Sequence, residues 1–246
     1  MMPDDRFLQH QDPRGTRFTP TTGHADDKGP ADSDAETEDH VGSRQTVIRH
    51  YRPDDLGALY DICVRTADHG RDATALYRDP SLPDHIYAAP YGLFESALAF
   101  VAGDAAGVGG YIVGALDSPA FEARLERDWW PRLRKRYPEP PPAVPEGDWT
   151  PDQRAAYRIH HPWHAPGELT GRYPSHLHIN LVPRLQGHGH GTRLIAALVD
   201  SLRGRGSAGV HLNSSLANTR AAAFYRHTGF CELSADGGYL FGMALR

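Results

Sequence analysis

The chain has 246 residues, 39% of them hydrophobic, and a formal net charge of −5, enough length for a sizeable core in one domain or two small ones. No run approaches the roughly 18 to 20 apolar residues that a membrane span needs, and the first residues lack the basic-then-apolar pattern of a secretion signal. Two cysteines, Cys63 and Cys231, make neither a disulfide framework nor a metal cluster, so the expectation is a soluble cytoplasmic protein without a membrane partner.

The charge is unevenly placed. Residues 1–45 hold ten acidic and five basic side chains, which accounts for the whole net charge, and the remainder balances at 21 of each. A nucleic-acid-binding domain would show a basic excess there, so no nucleic-acid partner is expected. Residues 1–44 read as an acidic tail with too little apolar surface to fold alone, and residues 45–246 as one domain.

In chain order, "Thr-Val-Ile-Arg-His-Tyr" from Thr46 is a short strand. "Arg-Pro-Asp-Asp-Leu" then opens a helix with proline and acids in its first turn, and Leu56, Leu59, Tyr60, Ile62 and Cys63 give that helix its buried face. Two apolar runs, Ala97–Ala102 and Val108–Leu116, flank the turn-like "Gly-Asp-Ala-Ala-Gly" and predict a β-hairpin. From about 118 to 174 the pattern is irregular and holds all four tryptophans, Trp129, Trp130, Trp149 and Trp163. It reads as a loop-rich Trp/Pro insertion with one helix through Phe121, Leu125 and Trp129 and a shorter one from Thr150. "His-Leu-His-Ile-Asn-Leu-Val", residues 176–182, alternates with period two. A helical stripe of Leu194, Ile195, Leu198, Val199 and Leu202 follows, then a strand at Val210 and Leu212, a helix from Asn218 to Gly229, and a final strand from Tyr239. No repeat is visible, so a single α+β domain is the simplest reading.

Between the alternating strand and the stripe stands "Gln-Gly-His-Gly-His-Gly-Thr", residues 186–192. A strand, a glycine-rich loop and a helix start together aim unpaired amides and a positive dipole end at an anion, with no Cβ atoms in its path. Dinucleotide folds place such a loop after their first strand and follow it with an acid some 20 residues on. Here it lies three quarters of the way along the chain, and His211 stands 20 residues past Gly191, which disfavours a nicotinamide enzyme. Metal ligation by His188 and His190 is disfavoured as well, because amides that attract anions repel a cation; no metal is expected.

Two motifs in order, Arg184-x-x-Gly187-x-Gly189 and the stretch carrying Asn218, Ala221, Tyr225, Gly229 and Phe230, resemble the cofactor signatures of the GNAT acetyltransferases over residues 46–246. Within them, "Tyr-Asp-Ile-Cys-Val-Arg-Thr-Ala-Asp-His-Gly" (60–70), "Gly-Gly-Tyr-Ile-Val-Gly-Ala-Leu-Asp" (109–117) and "Trp-Trp-Pro-Arg-Leu-Arg-Lys-Arg-Tyr-Pro" (129–138) resemble the C-terminal acetyltransferase-like domain of O-GlcNAcases and its stand-alone bacterial relatives. The resemblance implies a mixed central sheet with helices on both faces, splayed near Val182 at the cofactor strand. It implies an acetyl-CoA-dependent N-acetyltransferase acting on an amine that the sequence does not identify; the alternative it carries is a non-catalytic acyl-CoA-binding or protein-recognition module.

The resemblance also implies that Leu181 and Val182 pair their backbone with the pantetheine arm and that amides of Gln186, Gly187, His188, Gly189, His190, Gly191 and Thr192 hold the pyrophosphate. Asn218 would cap its helix and touch the cofactor, and Tyr225 would protonate the leaving thiolate as general acid. For the base, His176 and His178 share one strand face with Asn180 because alternate residues do, and histidine titrates in the useful range; the resemblance brings forward Asp117 and Asp68 as rivals. Cys63 and Cys231 lie in apolar runs and read as core, so transfer would be direct, without an acyl-enzyme.

Overall fold

The computed structural model describes residues 46–245, which fall within one compact unit, residues 43–246; the expected acidic tail lies outside the described residues. Seven strands among them, β1 (Val47–His50), β2 (Ala99–Asp104), β3 (Gly107–Ala115), β4 (Ser175–Leu181), β5 (Gly209–Ser214), β6 (Cys231–Ser234) and β7 (Tyr239–Ala244), make one sheet in the order β1-β2-β3-β4-β5-β7-β6. Every neighbouring pair is antiparallel except β4 with β5, which run parallel.

That parallel seam is short. Ser175 pairs with Val210 and His176 with His211, and there the ladder stops, although β4 continues to pair with β3 as far as Leu181 opposite Gly110. The expected splay is therefore present, and it opens five residues earlier than Val182, just past His176.

Helices cover both faces. On one, α8 (His190–Gly204) lays its stripe of Leu194, Ile195, Leu198, Val199 and Leu202 against Phe100, Ala102, Ile112 and Leu177. The close approach explains a glycine in β3: a Cβ on Gly114 would stand 3.2 Å from both Leu198 methyls. The same core receives Ala222 and Tyr225 from α9 (Thr219–His227), packed with Phe230 and Phe241. The opposite face of β3 meets α1 (Leu56–Val64), which follows a 3-10 turn at Pro53–Asp55, together with α2 (Leu82–Tyr87) and α3 (Ala89–Phe94) around it.

The region from 118 to 174 is more helical than its composition indicates. It contains α4 (Ser118–Asp128), α5 (Trp130–Arg136), α6 (Pro151–His160) and α7 (Gly167–Arg172). Each start has a local cause: Asp117 accepts from Ala120 N–H at the head of α4, Pro131 stands in the first turn of α5, and Thr150 with Gln153 forms a capping box on α6. The insertion is also tied to the rest of the domain. Trp129 Nε1 donates to the His85 carbonyl at 2.8 Å, Tyr137 donates to Asp79 at 2.7 Å, and Asp152 accepts from the amides of Arg78 and Asp79 at 3.1 Å. These bonds fasten the insertion to the segment around α2.

Candidate active site

The two halves of the sheet part on a cavity of about 980 Å³. Its floor is β4 from His176 to Asn180 and β5 from His211 to Ser214. Asn218, Ala221 and Tyr225 of α9 close one end, and Tyr87, Tyr91, Phe121, Trp130 and Trp163 supply an aromatic wall at the other. Of the four tryptophans, only Trp130 and Trp163 therefore reach the cavity.

The glycine loop continues from β4. Val182 N–H donates to Gly109 C=O at 2.9 Å, so its amide belongs to β3, and by strand alternation the backbone groups of Ile179 and Leu181 face the gap. Of the two residues expected to pair with a cofactor arm, Leu181 alone turns its backbone that way, and its carbonyl accepts from Gln186 Nε2 at 2.6 Å. A 3-10 turn at Pro183–Leu185 absorbs the Gln186 amide, which donates to Pro183 C=O at 3.1 Å, and so removes Gln186 N–H from the expected anion-binding set. From Gly187 to Thr192 no backbone amide has a backbone acceptor among the described residues; the first such bond of α8 runs from Arg193 to Gly189 at 3.1 Å.

The three alternate glycines do different work. Gly187 and Gly189 have φ of 79° and 75°, the left-handed region that glycine enters freely, and a Cβ on either would meet nothing within 4 Å. Gly191 has ordinary helical geometry, but its Cβ would stand 3.0 Å from Phe224. Arg184, read as the head of the motif, does not serve the loop: it donates to Gly107 C=O at 2.8 Å and pairs with Asp104 on the β2–β3 turn. Gln186 takes the organising place instead, with Nε2 on Leu181 and Oε1 accepting from Arg220 at 2.5 Å. His188 and His190 stand beside one another, ring centroids 6.1 Å apart.

Asn218 caps α9 by accepting from Ala221 N–H at 3.1 Å and also lines the cavity. Tyr225 packs among Phe224, Phe230 and Phe241 and lines the same end; burial pushes its phenol well above the usual range, so it carries its proton at any working pH.

The histidines of β4 come together as strand alternation requires, with the small Val113 and Ala115 opposite them on β3 leaving room for the rings. Both line the cavity. Enclosure among low-dielectric walls holds His178 down at about 4 and His176 well below the ordinary imidazole range, each lowered further by neighbouring histidines. Nothing local in the chain marks their partners. Tyr91 of α3 bonds both rings, at 2.8 Å to His176 Nε2 and 3.0 Å to His178 Nε2, and Ser118 bonds His176 Nδ1 at 2.7 Å. His211 lies 5.7 Å from His176, centroid to centroid. Partners 58 to 87 positions away leave no local pattern to find.

The two acidic rivals are placed elsewhere. Asp117 is exposed, caps α4 and is not among the cavity residues, and Asp68 is engaged by Arg71 at 3.0 Å across a tight turn whose His69 and Gly70, not Asp68, reach the cavity. One cysteine also departs from expectation: Cys63 is buried and borders the cavity, whereas Cys231 is exposed on the edge strand β6, which has no buried face.

The model of the acetyltransferase (GNAT) family matches residues 122–230. The O-GlcNAcases of Rattus norvegicus and Mus musculus are each 24% identical over 204 residues, covering 80% of this chain; the match spans 21% of the length of those enzymes. The crystal structure of SsHAT is 40% identical, with a TM-score of 0.73 and coverage of 82% of this chain and 98% of that one. The structure of yncA from Salmonella typhimurium, which holds its cofactor acetyl-CoA, has a TM-score of 0.50 at 14% identity, covering 82% of this chain and 95% of that one.

Proposed function

This chain belongs to the GNAT acetyltransferase family, and from that premise we propose that it passes an acetyl group from acetyl-CoA directly to an amine bound in the same cavity. The observation that carries the reading is the row of six unpartnered amides, Gly187 to Thr192, at the positive end of a 15-residue helix beside the parted edges of β4 and β5. Four of these six residues are exposed and two half-buried, so the donors are open to an incoming ligand, and a run of bare donors at a helix start fits a pyrophosphate. The gap-facing backbone of Ile179 and Leu181 fits an extended arm with amides of its own, which makes the residues present a match for the group.

Acetyl-CoA, when bound, supplies an activated acyl carbonyl and a thiol leaving group. The chain does the rest. Asn218 and the loop amides hold the cofactor, the aromatic wall shapes the acceptor side, a histidine of β4 takes the proton given up by the amine as the C–N bond forms, and Tyr225 gives its proton to sulfur as the C–S bond breaks. Solvent restores both groups, so protons balance over the cycle. Cys63 does not provide an acyl-enzyme route, because burial pushes its thiol well above the usual range and keeps the nucleophilic thiolate scarce.

Calorimetric titration tests the reading: acetyl-CoA and CoA should bind and NAD should not, and an amine-library screen read by free thiol should then find an acceptor. No heat and no thermal shift at millimolar acetyl-CoA would sink the proposal. Tight binding without transfer to any amine or peptide would leave the non-catalytic module as the better account.

A further inference from the structure

The hydrogen bonds around His176 and His178 determine which ring nitrogens carry protons. Ser118 Oγ lies 2.7 Å from the Pro174 carbonyl and 2.7 Å from His176 Nδ1. A carbonyl has no proton to offer, so the serine proton lies on the Pro174 side and His176 Nδ1–H must donate to Ser118. In a neutral ring His176 Nε2 is then bare, and it accepts from the Tyr91 hydroxyl at 2.8 Å. Tyr91 has only that proton, so its oxygen accepts from His178 Nε2–H at 3.0 Å. One nitrogen is left over. His178 Nδ1 has a free lone pair, makes no hydrogen bond among the described residues, and is open to the cavity that His178 lines.

The chain of bonds is held at both ends. Pro174 C=O also accepts from Ser118 N–H at 2.8 Å, which holds the serine backbone, and with it Oγ, beside that carbonyl. Tyr91 stacks on Phe121 with centroids 4.6 Å apart, and Tyr87 stands against the other side of His178 at 5.4 Å. The charged or titratable groups facing the pair are His211 from β5, Tyr87 from α2 and Tyr91 from α3, with Glu122 of α4 close enough to bear on Tyr91 and His211.

Resting on the acetyl-transfer reading above, we propose that Ser118, His176 and Tyr91 are positioning residues that lock His178 in its Nε2–H tautomer, making His178 Nδ1 the base that receives the proton of the attacking amine. A histidine free to exchange tautomers would present a lone pair to the amine only part of the time. The lock also gives the imidazolium formed during transfer a fixed acceptor, the Tyr91 oxygen, for its second N–H. His176, chemically equal to His178, is excluded as the base because both its nitrogens are engaged within the relay.

Long-range ¹H–¹⁵N correlation spectra of the ring nitrogens in the full chain test the relay without any turnover. The wild type should show His178 protonated at Nε2 and bare at Nδ1, and His176 the reverse. Tyr91→Phe should give His178 a mixed pattern, Ser118→Ala should release His176, and Tyr91→Phe should lower kcat at least tenfold while its acetyl-CoA affinity stays at the wild-type value, which certifies the fold. A proton on His178 Nδ1 in the wild type, or a His178 pattern unmoved in Tyr91→Phe, overturns the lock. A mixed pattern with unchanged kcat overturns the assignment of Nδ1 as the base. If the wild type transfers acetyl to no amine, the transfer reading fails together with the base role, whereas the spectra still decide the relay.

Discussion

Tyr225 carries its phenol into the cavity end with aromatic rings on three sides and, among the described residues, no hydrogen bond to hold the hydroxyl. Tyr225→Phe keeps those ring contacts. The variant should match the wild type in melting temperature and CoA affinity and lose about 10²-fold or more in thiol release with the best amine found; turnover at the wild-type rate would remove the tyrosine from the chemistry. Asp84 is the opposite case, a carboxyl buried completely, with neither oxygen hydrogen-bonded by a side chain and its pKa driven well above the usual value by burial. A folded-state pKa above the unfolded one means that the native state holds a proton the unfolded state has released, so stability drains away as pH rises past about 4. Asp84→Asn cannot ionise. It should melt above the wild type at pH 7 and converge with it near pH 4, with about 2–4 °C for each kcal/mol in a domain of this size. A melting temperature below the wild type at pH 7 would contradict this account. At this scale, too, the sequence reached its limit. It could place His176 and His178 on one strand face, because period two is local. It could not separate them, since what does so is Tyr91 and Ser118 arriving from α3 and α4.

Among the elements, the β4–loop–α8 unit was readable almost whole, because alternation, glycines and a helical stripe each write themselves into consecutive residues. The two short helices α2 and α3 were not, since Pro83 and Pro90 break the apolar period before it becomes visible. The edge strand β6 escaped notice for a simpler reason: all four of its residues are exposed, and a strand with no buried face leaves no alternation. Between 118 and 174 the helices through Phe121 and from Thr150 were legible and are α4 and α6, whereas α5 and α7 were hidden, because Pro131 and Pro166 suggest loops but stand in the first turn of α5 and just before α7. The different settings of the loop glycines lead to separable outcomes. Gly189→Val should cost stability only through its left-handed backbone, about 1–2 kcal/mol, yet abolish CoA binding, because the new side chain stands among the bare amides. Gly191→Val should behave the other way at first, losing about 1–3 kcal/mol by crowding Phe224. Paired melting curves and CoA titrations distinguish them, and normal CoA binding by Gly189→Val would reduce the loop to a turn.

For the whole molecule, the buried histidines set an acid limit. His85 and His178 are both held at about 4 by burial, and His176 and His211 are lowered as well. The unfolded chain takes up their protons near pH 6.5 while the native state binds them at equilibrium only at lower pH, so the contribution of these histidines is complete above 6.5 and is lost as pH falls toward 4. A displacement from 6.5 to about 4 corresponds to at most about 3.4 kcal/mol for each of His85 and His178. Urea midpoints of Asp84→Asn, which lacks the opposing carboxyl, measured at pH 7.5, 6, 5 and 4.5 should fall steadily, and a flat profile would show that these rings protonate in the folded state.

The two-rung seam between β4 and β5 has a further consequence. Past His176 and His211 the sheet has two facing edges whose hydrogen-bonding groups point at each other across empty width, a fault line inside an otherwise continuous ladder. An extended molecule with amides at suitable intervals would lie there as an inserted rung-bearer, so that the protein completes its own secondary structure only when charged with substrate. Amide exchange should record this as stitching: protection should appear at Ile179 and Leu181 on addition of CoA while Val182, already tied to Gly109, stays as slow as before.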